Sequence, residues 1–216
     1  MPNPPTDGQA AEIPVNEVRD YRRINAEVVR LLDAGQPRIV LQRVERQRLL
    51  LEGLRGPWSA FIEVEGRAGP ELAAGLDAPG LCIRAAGADD GAARGLRAGA
   101  LRIDGEAGDG LAYELEGGIV IALGAAGHRA GLRMRGGVLV VAGAVGRLPG
   151  DRQRGGWIVA PGGAGSPGAG HGRVGGKWIT SPSGWPDAIR AALLGLPAGF
   201  LPADRFRPGF DGLGGS

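Results

Sequence analysis

The chain has 216 residues, 42 of them glycine, and is 43 % apolar but only 5 % aromatic. That apolar share excludes a disordered glycine-rich chain, the lack of a three-residue period excludes collagen, and a net charge of +2 argues against a dedicated nucleic-acid binder. One cysteine, Cys82, excludes a disulfide framework and a cysteine metal cluster, and no apolar run approaches the ~20 residues of a membrane span.

Residues 1–14, "MPNPPTDGQAAEIP", lack the basic and apolar regions of a signal peptide; a disordered terminus and a cytoplasmic setting are expected. Residues 15–36 predict a capping helix. Val18, Tyr21, Ile24, Val28, Leu31 and Leu32 recur at spacings of three and four, Asn16 can cap the start and Gly35 suits the stop.

Residues 37–182 carry a repeat. The glycines that end successive apolar runs, Gly66, Gly87, Gly105, Gly124, Gly143 and Gly162, step by 21, 18, 19, 19 and 19. A second glycine follows three residues later in five of the six, with Asp90 in its place once. Pairs close later units at Gly117-Gly118, Gly136-Gly137, Gly155-Gly156 and Gly175-Gly176. Four residues before the anchor stand Ile62, Ile83, Leu101, Val120, Leu139 and Ile158; two before it stand Val64, Ala85, Ile103, Ala122, Val141 and Ala160. Period-two alternation puts both columns on one strand face. A third column holds Leu96, Leu115, Met134 and Val174, broken by Gln153. Each unit reads as a short strand, a glycine turn, a second short extended piece and a glycine-pair corner. One unit cannot bury its face alone, but stacked units can. The fold predicted is all-β: a right-handed, single-stranded parallel β-helix of roughly seven coils of ~19 residues. A β-sandwich would need hairpin alternation and variable loops, which the fixed period opposes. Residues 183–216 predict a short helix within "PDAIRAALLGLPAGF" and a tail that packs on the solenoid or on a partner.

The outward positions are candidates for function. At a step of 19, Arg97, Glu116, Arg135, Arg154 and Arg173 share one column, and Glu114, Arg133, Arg152 and His171 the next. Glu116 neutralises its neighbours, whereas Arg133, Arg135, Arg152, Arg154 and Arg173 form a run of like charge that either splays into solvent or docks a partner's carboxylates. A further column changes from Glu63, Arg84 and Arg102 to Ile121, Val140 and Val159, flanked by Ile119, Val138 and Trp157. That apolar face must be covered, by Leu193, Leu194, Phe200, Phe206 and Phe210 of the tail or by a partner, and the covered face is expected to form part of an interface between subunits.

Motifs for chemistry are weak. "GAGSPG" from Gly163 fits a dinucleotide fingerprint, but no helix can follow it. Ser166 resembles a nucleophile elbow, and His171 in the same coil makes a Ser–His pair conceivable; a turn serine and a surface histidine is the plainer reading. Cys82 has no neighbour to lower its pKa, and His128 and His171 form no metal signature. No catalytic, cofactor or metal residue is assigned.

The period, the "G-x-x-G" turns and the corner Gly131-Met134-Gly137 resemble the GXGXG β-helix family. That family includes the C-terminal domain of large glutamate synthase subunits, stand-alone proteins, and one component of formylmethanofuran dehydrogenases. The helix, the strand and then Gln47, Arg48, Gly53, Leu54, Arg55 and Gly56 resemble the stand-alone glutamate synthase-type branch, over roughly residues 22–180. The resemblance implies a non-catalytic structural subunit of a glutamine-dependent amidotransferase, for glutamate or N-methylglutamate synthesis. Its implied partners are a class II glutaminase subunit and an FMN-binding synthase-like subunit in a hetero-oligomer. FMN, or FMN with iron–sulfur clusters, would reside in those partners, and no nucleic acid or membrane is involved. The alternatives are two. One is the role of the β-helix component in a formylmethanofuran dehydrogenase or formyltransferase–hydrolase complex. The other is an autonomous serine hydrolase using Ser166 and His171.

Overall fold

In a computed structural model, residues 10–18, 20–161, 166–181 and 184–203 are described. Nine strands form one all-parallel sheet in sequence order: β1 (Ala11–Pro14), β2 (Arg38–Glu45), β3 (Ser59–Ala68), β4 (Asp77–Ala88), β5 (Ala98–Ile103), β6 (Ile119–Ala122), β7 (Val138–Val141), β8 (Trp157–Val159) and β9 (Lys177–Ile179). Sequential parallel neighbours joined by short turning segments make a right-handed parallel β-helix of about seven turns.

The predicted inward columns hold. Ile62 pairs with Ile83, Ile83 with Leu101, Leu101 with Val120, Val120 with Leu139 and Leu139 with Ile158, and all are buried. Val64, Ala85, Ile103 and Ala122 register in the same way, with Val141 following. The core is therefore a stack of aliphatic layers, and none of its buried members is aromatic. Gln153 keeps its inward place and is fully buried. Its Nε2 donates to the carbonyls of Gly155 and Gly156 at 3.1 and 3.2 Å, and its Oε1 has no protein partner among the described residues.

The paired glycines meet two constraints. At Gly136 a side chain would drive into the carbonyl of Glu116 in the previous coil; at Gly137 a φ of +73° strains an L-residue, and its Cβ would also meet the carbonyls of Gly117 and Gly118.

Four sequence expectations need correction. The second extended piece is instead a run of turns with alternate residues in the left-handed region, as at Gly110, Ala112 and Glu114, or Arg129, Gly131 and Arg133. The capping helix is shorter: α1 spans Tyr21–Asp33 after a 3-10 turn at Val15–Glu17, and Asp20, not Asn16, caps it by accepting from the Arg22 amide at 3.0 Å. Part of the terminus expected to be disordered is strand β1, paired to β2 from Ala11↔Ile39 to Pro14↔Gln42. Lastly, β8 pairs with β9 at a step of 20, not 19 (Ile158↔Trp178). The extra residue enters between Leu148 and Gly168, since Arg129 N donates to Arg147 O but Leu148 N donates to Pro167 O. A step of 20 from Gln153 reaches Arg173, so Val174 falls outside the inward column, and it is 80 % exposed.

Helix α1 seals the first coil with Ile24, Val28 and Leu32. Asn25 clamps it there: its Nδ2 donates to Leu49 O at 2.9 Å and its Oδ1 accepts from Leu51 N at 2.8 Å. Asn25→Ala leaves both backbone groups without those partners and should cost about 1–3 kcal/mol in a urea titration. An unchanged midpoint would show that water replaces the amide freely.

At the other terminus α2 (Asp187–Leu194) lies over the outer face of the sheet. It belongs to a second apolar cluster, outside the solenoid, described below.

Candidate docking surface

Each functional candidate sits on the outside of a coil, so its neighbours are set by the coil step. Where the step is 19 the predicted ladders form. Glu116 accepts from Arg97 Nε at 2.9 Å and pairs with Arg135 at 3.3 Å. Arg133 donates to the Tyr113 hydroxyl at 3.3 Å and lies 3.7 Å from Glu114. Arg133 and Arg135 are therefore not part of an uncompensated basic run. Two glutamates one coil earlier offset them.

The ladders fail at the last coil, where the inserted residue shifts the register. Arg152 N donates to His171 O, as Arg133 N donates to Asp151 O, so Gly172 takes the position after Arg152 and His171 lies over Asp151. Val174, not Arg173, follows Arg154: Val174 N donates to Gln153 O just as Arg154 N donates to Met134 O. Arg173 thereby moves into the column of Gln153 and is exposed there. Arg152, Arg154 and Arg173 form no ion pair or side-chain hydrogen bond among the described residues.

The apolar outer face forms as predicted from Ile121, Val140 and Val159, which register on one another. It is not open to a partner, because this chain covers it. Trp185, Ile189, Leu193 and Phe200 are each at most 2 % exposed and join Cys82, Ala100, Ile121, Val138, Val140 and Val159 in the second cluster. Trp157 packs at its margin. Phe200 meets Phe61 edge-on at 6.2 Å, and its carbonyl accepts from buried Arg102 at 2.6 Å. Arg102 also donates to Asp104, so the charge is held by a carboxylate and a backbone oxygen. Of the tail residues named from sequence, Leu194 is 68 % exposed, while Phe206 and Phe210 lie outside the described residues.

A polar ladder that the sequence reading missed runs along another corner. Asp90 Oδ1 accepts from Asp109 N at 2.8 Å, Asp109 Oδ1 from His128 N at 2.7 Å, and His128 Nδ1 from Arg147 N at 2.8 Å. These caps occupy the space where Gly108, Gly127 and Gly146 would carry side chains. Asp90 is therefore a member of the ladder; Asp89 takes the place of the second glycine, held by Arg67 at 2.7 Å. The shallow groove beside the ladder, about 670 Å³, is lined by Glu71, Arg94, Tyr113, His128, Arg129 and Arg147.

The residues quoted for the family resemblance hold the first coil in shape. Gln47 Oε1 accepts from Glu45 N at 2.6 Å, Leu54 is buried and Arg55 pairs with Asp77 at 3.1 Å. Gly53 is left-handed at φ +65°, and Gly56 lies against the Trp58 ring, where a Cβ would come within 2.8 Å; Arg48 is exposed.

The hydrolase pair is not assembled. Ser166 Oγ donates to Val145 O at 2.8 Å, and His171 Nδ1 contacts Asp151 Oδ1 at 3.1 Å. A serine whose proton points at a carbonyl has no base to activate it. A fluorophosphonate probe should leave Ser166 unlabelled; stoichiometric labelling would overturn this. No group of three or more His, Cys, Asp or Glu that could hold a metal occurs among the described residues, and no helix there is long and apolar enough to cross a membrane. No family model, curated protein or solved structure matches the chain.

Proposed function

We propose that this chain is a non-catalytic scaffold subunit of a glutamate synthase-type, glutamine-dependent amidotransferase. It would hold a class II glutaminase subunit against an FMN-binding synthase-like subunit in the cytoplasm. The single observation that carries the reading is the glycine-cornered coil of 19 residues, joined at its start to a capping helix and the segment Gln47–Gly56. A rigid rod whose polar side chains are mostly spent on holding successive coils together suits positioning better than chemistry.

The test is affinity capture of the tagged chain from its own cells. Recovery of a glutaminase and a yellow FMN protein in fixed ratio is expected; a monomer without either would sink the reading. A role beside a formyl-carrying enzyme, as in the formylmethanofuran dehydrogenase branch, draws on one observation. Arg152, Arg154 and Arg173 face no carboxylate among the described residues and could meet an anionic cofactor. The same capture would then return a metal-dependent formyl-transfer enzyme.

A further inference from the structure

The two ends of the solenoid differ. The first coil is closed by α1 and by β1, which pairs with the outer edge of β2. Beyond the last coil there is no further strand among the described residues. Within the rod, Arg129 N and Leu148 N donate to carbonyls of the next coil, as do Arg133 N and Arg152 N. Gly168 and Gly172 hold the same positions in the last coil, left-handed like their counterparts, and their N–H groups reach no acceptor among the described residues. In β9, Lys177 N donates back to Gly156 O and Ile179 O accepts from Ala160 N. Parallel alternation then turns the N–H and C=O of Trp178 toward the open side. An unpaired edge of this kind is a template for another strand.

Charge says what fits it. Between residues 148 and 181 the only acid is Asp151, against Arg152, Arg154, Arg173 and Lys177. Asp151 is engaged by His171. In the preceding coils Arg84, Arg97, Arg133 and Arg135 each face a carboxylate. Charge matching stops at the open end. A second copy placed end to end would bring like charge against like charge, so self-association is disfavoured.

We infer that the open end docks an acidic, flexible segment of a partner chain. That segment follows the coil path: it supplies carbonyls to Gly168 and Gly172, bends over the Gly175-Gly176 corner, adds a strand beyond β9, and lays carboxylates along Arg154 and Arg173. The inference needs only that the chain docks onto something, and stands apart from which complex it joins.

The test uses the full isotope-labelled chain and a short synthetic peptide of alternating glutamate and valine. At ~1 mM peptide, amide exchange at Gly168, Gly172 and Trp178 should slow about tenfold, while a lysine–valine peptide has no effect. Arg154→Glu with Arg173→Glu should weaken binding about tenfold or more, and the corresponding alanine pair less. Both arginines are exposed, so exchange in the early coils serves as the folding control. No slowing at the three amides, equal slowing by both peptides, or protection that grows with protein concentration alone would each overturn the proposal. Failure to capture a glutaminase would leave it standing.

Discussion

Gly137→Ala should be among the most damaging single-methyl additions in this protein, costing about 2–5 kcal/mol in a urea titration. Two effects add. With φ at +73°, an L-residue is strained, and the new Cβ would lie 2.7 Å from the carbonyl oxygens of Gly117 and Gly118. Those oxygens belong to the backbone of the previous coil, so relief would require separating two coils. Gly110→Ala is the matched control. Its φ is +66°, but the nearest atom to a new Cβ is 4.0 Å away. It should cost only about 1 kcal/mol, the strain alone. That strain is tolerated on the same face, where Ala112 and Arg129 hold φ of +57° and +58°. Because each coil contacts only its neighbours, Gly137→Ala should loosen β7 to β9 before the N-terminal coils. Equal costs for the two variants would show that close approach contributes nothing.

The contrast between those glycines marks how far the sequence could be read. A glycine column says that a side chain is excluded, not whether space or φ excludes it. The inward columns were legible because Val, Ile, Leu and Ala recur at a fixed step with alternation of two, and a slip would have exposed them all. The left-handed face was not, since Glu114, Arg129, Arg133 and Arg152 hide the conformation that glycine would have announced. The slip after Leu148 was hidden for the opposite reason. Residues 162–172 hold glycine at nearly every second position, so a coil of 20 looks like a coil of 19. That one residue misplaced Arg173 and His171 together; Val174 lies two residues beyond a step of 19 from Gln153 and one beyond the step of 20. The ladder Asp90–Asp109–His128 was readable, because it follows the same step of 19 and pairs acceptor side chains with glycine neighbours. Strand β1 carried no such signal. Four residues are too few for a period, and β2 supplies the pairing.

The covered face also changes how docking is understood. Ile121, Val140 and Val159 looked like the apolar heart of an interface. With the segment from Trp185 to Phe200 across them, the surface offered outward is that segment's outer side, with Leu194 exposed, and not the sheet. A chain built this way keeps its apolar sheet face covered by its own C-terminal segment, which limits self-association.

Ile189→Asp should release that cover, and Cys82 reports it. The thiol lies in the same buried cluster, and burial pushes its pKa up to about 11. At pH 8 thiolate is scarce, so a disulfide reagent should label the native chain slowly, the rate rising about tenfold per pH unit toward 11. A carboxylate at position 189 cannot be buried among Val140, Val159 and Trp185 without a partner, so the segment should lift away. The thiol would then relax toward its ordinary value of 9.0, and labelling at pH 8 should quicken by about a hundredfold. The sign for stability follows from the same shift. The unfolded thiol ionises first as pH rises, so the native chain loses stability between about 9 and 11, and the variant loses less there. The lifted segment also bares Ile121, Val140 and Val159, so the variant should self-associate in sedimentation while its inner coils stay folded. An unchanged labelling rate and pH profile in a monomeric variant would mean that the sheet, and not the C-terminal segment, buries Cys82.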